Sequence, residues 1–205
     1  MPEPTNAADV RRVFEFAIEL DRLKAVSRKI KPLGLDRYEN SAEHSWHVCV
    51  LALLLARYSA APVEIGRVLE ILLVHDVPEI DHGDHFVYSR DVTATAAAEA
   101  IAAERIFGLL PEAEGRRLLS RWREYEERQT PEARLAYAAD RLMPVLQNLF
   151  GGGQSWRENR VPLEQVRALV HDAIAEICPA VWWSVEPLIE SLYASGVLDE
   201  TRRPG

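Results

Sequence analysis

Helical periodicity runs through this chain almost from end to end, and prolines cut it into lengths. Pro62, Pro111, Pro131, Pro162 and Pro179 each stand just ahead of a run with apolar residues at helical spacing. A proline is tolerated at that place because the first amides of a helix have no partner to lose. The runs predict helices over 62–76, 111–128, 131–150, 162–177 and 179–194. Three more are expected: one over 8–26 with Asn6 as its cap, one from a Ser41 cap to about residue 58, and one over 93–108 ended by Gly108. The first would turn Val10, Val13, Phe14, Ala17, Ile18, Leu20 and Leu23 inward. Residues 27–40 and 80–92, with Pro32, Gly34 and Gly83 as breakers, read as loops. The "GGGQSW" after Leu149-Phe150 reads as a helix stop and turn, because a phosphate-cradling loop needs a lysine and a preceding strand that are missing here. Strand alternation and internal repeats are absent. The expectation is an all-α bundle, a single domain over residues 1–205 with its core at about 8–195.

The net charge of -8 argues against a broad nucleic-acid surface, so no nucleic-acid polymer is expected as a partner. It leaves room for a small anionic ligand held by a local basic pocket. The longest apolar run, "VCVLALLLA" at 48–56, is too short to cross a membrane and reads as a buried helix. The first 23 residues hold acids throughout and no apolar signal core, so a cytoplasmic location without membrane attachment is expected. Cys49 and Cys178 sit among apolar residues and read as core side chains.

One stretch breaks the pattern. "ILLVHDVPEIDHGD", residues 71 to 84, runs from a buried aliphatic segment straight into His75-Asp76, Glu79, Asp81, His82 and Asp84. A core does not accept such groups unpaired, whereas a divalent metal takes imidazole and carboxylate together. His44 lies in the first turn of a central helix, in "NSAEHSWHV". Asp140 is the only acid among the apolar residues of "RLAYAADRLMPVLQN", beside the small Ala136, Ala138 and Ala139. Alone, Asp140 reads equally as a salt-bridge partner of Arg141 or Arg134. With His44 and His75-Asp76, three separate helices offer two imidazoles and two carboxylates. His47 and His171 read as packed helical residues. Trp156, Trp182 and Trp183 read as core or dimer contacts.

The order His, His-Asp, Asp resembles the HD superfamily of metal-dependent phosphohydrolases. "SAEHSWHV", "LLVHDVPEIDHGD", "AAERIFGLLP", "TPEARLAYAADRLMPVLQN" and "GGGQSW" look like the branch that includes bacterial 5′-deoxynucleotidases, over roughly residues 10 to 195. The resemblance implies an HD-type bundle with His44, His75, Asp76 and Asp140 as metal ligands and Glu79 and Asp84 in catalysis. It implies that Arg28 holds the substrate phosphate, with Lys29 where some members carry an aromatic residue. Lys29 and Lys31 add positive charge there. The implied cofactor is one divalent transition ion (manganese, cobalt or iron, with zinc also suited). The implied substrate is a small phosphate ester, a (deoxy)nucleoside 5′-monophosphate, and the implied assembly a homodimer. Rival readings are a dinuclear iron oxygenase using His82 and His85, a deoxynucleoside triphosphate triphosphohydrolase, and a non-catalytic nucleotide-binding module.

Overall fold

The computed structural model describes residues 7–89 and 93–198, so the expected Asn6 cap and residues 90–92 of the expected 80–92 loop lie outside it. Ten α-helices follow one another among the described residues: α1 (Ala7–Leu20), α2 (Ser41–Leu55), α3 (Ile65–Val74), α4 (Glu79–His82), α5 (Thr93–Phe107), α6 (Glu112–Glu127), α7 (Pro131–Phe150), α8 (Gln154–Glu158), α9 (Leu163–Ile174) and α10 (Pro179–Ala194). No strand forms there; the one extended contact is an isolated bridge between Ser27 and Asn40. The all-α expectation holds.

Helices α2, α3 and α7 pack against one another and form the centre. The alanines of α7 make this possible. Ala133, Ala136 and Ala139 are fully buried, and their small side chains let the neighbouring helices come close. Helices α9 and α10 close the far side, with Val166, Val170, Ile174 and Ile189 in the same core. A second, smaller core joins Phe16, Leu23, Val77, Ile106, Phe107 and Trp122.

Three local expectations are corrected. Helix α1 ends at Leu20 and continues as a 3-10 turn, and it faces inward through Phe16 rather than through Phe14 and Ile18, which stay exposed. Two contacts set that register: the Phe16 ring lies 6.2 Å from that of Phe107, and Arg12 donates to the carbonyls of Gly108 and Leu109 at the end of α5. Helix α2 is capped by Asn40, not Ser41. The Asn40 side chain accepts from the Glu43 amide while the Glu43 carboxylate takes the Asn40 amide, a reciprocal pair. Helix α3 begins at Ile65, because the Glu64 carboxylate accepts from the amides of Gly66 and Arg67 and so caps it.

Helix α2 is also less buried than its composition implies. Ser41, His44, Ser45, Val48, Ala52 and Leu55 face the core, but Trp46, Val50, Leu53 and Leu54 face outward.

Burial pushes the thiols of Cys49 and Cys178 up to about 11. Neither is expected to react with a thiol reagent at pH 8 in the folded protein, because the thiolate is the reactive form. Both should label at once in denaturant. Fast labelling of the folded chain would show that the core opens.

Candidate metal centre

Helix α3 stops at Val74 for a chemical reason. Pro78 has no amide to give the Val74 carbonyl, and the chain turns through tight bonds from Val77 to Val74 and from Glu79 to Asp76. One turn of helix, α4, then starts at Glu79 and runs into the segment 80–92 expected as loop, and Gly83 at φ +83° ends it. His75 and Asp76 therefore leave the core together at a helix end. His44 arrives from the first turn of α2 and Asp140 from the middle of α7.

The three buried residues His44, His75 and Asp140 each bring one ligand-type atom to within 4.8 Å of the others. Asp140 Oδ1 lies 2.8 Å from His44 Nε2 and 3.7 Å from His75 Nε2. Asp76 borders the cluster, 3.1 Å from His75 Nε2 and 3.9 Å from His44 Nε2.

The outer partners of the rings decide what the inner atoms can do. His75 Nδ1 lies 2.7 Å from the Leu72 carbonyl and donates to it, so Nε2 carries a lone pair. That nitrogen is buried and has no hydrogen-bond partner. His44 Nδ1 faces a Glu39 oxygen at 3.5 Å, and the other Glu39 oxygen accepts from Gln147 at 2.9 Å. The His75 ring thus aims an Nε2 lone pair at carboxylate oxygens, while His44 Nε2 lies at hydrogen-bond distance, 2.8 Å, from Asp140 Oδ1. In a buried site such an arrangement repels unless a cation or proton stands between the atoms. The donor set suits a divalent metal.

Asp140 divides its two oxygens. Oδ2 accepts from the Tyr125 hydroxyl and from Arg141, at 2.6 Å for the latter, which leaves Oδ1 for the histidines. The salt bridge with Arg141 through Oδ2 is therefore compatible with a ligand role for Oδ1. Arg134 pairs with Glu176 instead. Burial would raise the Asp140 pKa, but Arg141, His44 and His75 outweigh it and hold the carboxyl well below its ordinary range. Burial would lower that of His75, but Asp76 and Asp140 hold it above its ordinary value.

Beside the cluster, Arg28 stands among carboxylates. It lies 3.0 Å from Asp76, 3.2 Å from Asp84, 4.0 Å from Glu79 and, through Nε, 3.7 Å from Glu39. Burial works against its charge, but Asp76, Asp84, Glu79 and Asp140 hold the guanidinium above its ordinary pKa. Glu79 accepts from the Ser41 hydroxyl at 2.6 Å, the use to which Ser41 is put instead of capping. Burial and then the charge of Asp76 push the Glu79 carboxyl well above its ordinary value. Burial also raises Asp84, with Arg28 opposing.

A cleft opens here in two lobes that share Asp76, Glu79, His85 and Arg141. One runs past Arg28, Asp84, Phe86 and Tyr88, the other past Glu99 and Tyr125. Lys29 lines the first lobe, whereas Lys31 pairs with Asp36. His82 and His85 border the cleft without joining the cluster; His82 is bonded to the Gly83 carbonyl and His85 to Ser89. His47 stacks on Trp46 elsewhere. His171 lies edge-on to Trp182, beside Asp172.

Tyr125 and Glu39 are the residues that sequence reading missed. Trp122 and Tyr125, three apart on an otherwise highly charged helix, were the available signal for the first. Glu39 carried none.

Residues 20–182 match the HD domain family. The chain belongs to that family. The crystal structure of a predicted metal-dependent phosphohydrolase from Magnetospirillum magnetotacticum MS-1 shares this HD domain at a TM-score of 0.89 and 36% identity, over 95% of this chain and 97% of that one. An HD-domain phosphohydrolase from Listeria innocua shares the fold at a TM-score of 0.61 and 13% identity, over 92% of both chains. The 5′-deoxynucleotidase HDDC2 of Danio rerio is 30% identical over 112 residues, 53% of this chain. The chain spans about half the length of that curated relative, 54%. No helix among the described residues is long and apolar enough to cross a membrane.

Proposed function

We propose that this protein is a 5′-nucleotidase that hydrolyses nucleoside 5′-monophosphates, deoxynucleotides foremost, to nucleoside and phosphate, with His44, His75, Asp76 and Asp140 as the metal ligands. One arrangement carries this: Arg28, Glu79 and Asp84 line one lobe of a cleft together with Asp76, and His75 of the cluster lines the adjoining lobe. A bound divalent ion such as manganese, cobalt, iron or zinc supplies Lewis acidity at the phosphoryl group and an activated water.

The chain's own residues supply the rest. Arg28 binds phosphate oxygens through its planar fork, and it exchanges carboxylate partners for phosphate in doing so. Glu79, fixed by Ser41, is suited to give a proton to the departing 5′ oxygen, since its buried carboxyl favours the protonated form. Asp84 orients the attacking water. Phe86 and Tyr88 offer the nucleoside an aromatic wall in place of the one that Lys29 does not provide. The likeness to a 5′-deoxynucleotidase supports the substrate class.

Arg28 has a kinetic signature of its own. Arg28→Lys keeps the charge among the carboxylates but loses the fork, so KM is expected to rise about tenfold, the equivalent of ~1.4 kcal/mol, with little change in melting temperature. Arg28→Ala should also lower stability, by about 3–5 kcal/mol, because it leaves buried carboxylates unpaired. A normal KM in Arg28→Lys would remove Arg28 from the phosphate site.

The test of the function is phosphate release from ribo- and deoxynucleoside mono-, di- and triphosphates, each assayed with several divalent metals. Release of phosphate from deoxynucleoside 5′-monophosphates is expected. Release of triphosphate from triphosphates would overturn the monophosphatase. Two metals per chain with consumption of O₂ would make the protein an oxygenase. Bound metal with no hydrolysis of any of these would make it a binding module.

A further inference from the structure

The isolated bridge between Ser27 and Asn40 holds two short segments side by side. The Arg28 amide donates to the Glu39 carbonyl at 2.9 Å, the Glu39 amide to the Ile30 carbonyl at 2.8 Å, and the Ser41 amide to the Val26 carbonyl at 3.1 Å. Arg28 and Glu39 are thus fixed relative to each other, although a loop separates them in the chain. Glu39 also stands one residue before the Asn40 cap of α2, and His44 four residues after it. Side chains at those two places meet across the first turn of a helix, and an apolar pair commonly fills them. Here they are a carboxylate and an imidazole.

Glu39 is 2% exposed, and its two oxygens have separate tasks. Oε1 accepts from Gln147 Nε2 at 2.9 Å, which stops the carboxylate from turning. Oε2 lies 3.5 Å from His44 Nδ1 and 3.7 Å from Arg28 Nε. Those three atoms are all buried, and none has a hydrogen-bond partner. Buried polar atoms are costly when unpaired. A closing movement of under about 1 Å would bond these three to one another. Arg28 meets its other carboxylates at a different edge: Asp76, Asp84 and Glu79 all gather at Nη1. A phosphate that displaces those three leaves the Nε edge with Glu39.

We propose that Glu39 is a positioning residue that holds a metal ligand and the phosphate-binding arginine in one arrangement, so that the two sites are built or lost together. The proposal rests on the roles given above to His44 and Arg28. A carboxylate facing Nδ1 keeps the ring hydrogen there and leaves the Nε2 lone pair to a cation. The same oxygen keeps the Nε edge of Arg28 turned inward, so that Nη1 faces the carboxylates of the cleft. Glu39 itself touches neither the metal nor the substrate.

Calorimetric titration of the metal-free protein with manganese, and of the manganese-saturated protein with inorganic phosphate, reads the two sites without any turnover. Glu39→Gln is expected to weaken manganese binding by about 10- to 100-fold and phosphate binding by about tenfold or more. Arg28→Lys should weaken phosphate binding alone. Gln147→Leu, which frees the carboxylate to turn, should weaken both by a smaller factor, and it carries the test if Glu39→Gln does not fold. Native affinity for both ligands in Glu39→Gln, with only a lower melting temperature, would overturn the proposal. So would a loss at one site alone. If no nucleotide releases phosphate, the nucleotidase falls, while the joint loss of both affinities in Glu39→Gln still supports the pairing. A native protein that binds no phosphate would end both.

Discussion

Asp140→Asn is expected to leave the purified protein without bound metal and with phosphate release reduced by at least ~10³-fold, since the metal supplies several kcal/mol of transition-state stabilisation. The asparagine keeps the shape and can still accept from Tyr125 and Arg141 at the oxygen that now meets them. It removes the negative charge that faces the two imidazoles from Oδ1. His75→Ala should lose metal in the same way, because it deletes the lone pair at Nε2 that has no protein partner. Elemental analysis and a phosphate-release assay on the same preparation read both effects. Full metal occupancy in Asp140→Asn would reduce Asp140 to the salt-bridge partner of Arg141 and end its assignment as a ligand. The variant should also melt lower, because a charged Arg141 is left beside a neutral amide.

Glu79→Gln should behave differently. The side chain touches Ser41 and approaches Arg28, and it has no contact with the two imidazoles. Metal content is expected to stay at the native level, and KM to change little. The kcat should fall by roughly 10²- to 10⁴-fold, the range for a positioned acid or base. The split between unchanged metal and lost turnover separates a proton donor from a ligand. If Glu79 only ties the start of α4 to α2, the variant would instead melt lower and turn over at a near-native rate. That outcome would leave a metal site without a proton donor.

The helix starts were legible because proline chemistry is local. A missing amide at the head of a run reads the same in sequence and in structure, and Pro111, Pro131 and Pro179 each open or immediately precede a helix. The Asn40 cap was misplaced by one residue: Ser41 next door offered an equally good hydroxyl, and only Glu43, three residues after Asn40, completes the reciprocal pair that decides between them. The inward face of α1 was not legible. Phe14, Phe16 and Ile18 are all apolar, and contact with Phe107, some ninety residues away, chooses among them. The cluster of His44, His75 and Asp140 was legible by residue type and order alone. Its supports were not: Tyr125 reaches Asp140 from another helix, and Glu39 reaches His44 from a loop. The two-sided character of α2 was also hidden, because a uniformly apolar sequence does not say which side its own chain will cover.

The His75 lone pair that faces the buried carboxylates has a consequence outside the reaction. A chain folded without its ion holds that repulsion, and an unfolded chain does not, so the ion binds the folded form and shifts the balance toward it. Each tenfold rise of free ion above its dissociation constant adds about 1.4 kcal/mol to stability. A cell short of the ion would therefore keep less of this protein intact and lose the excess to proteolysis. The supply of a trace element would set how many molecules exist as well as how fast each one works.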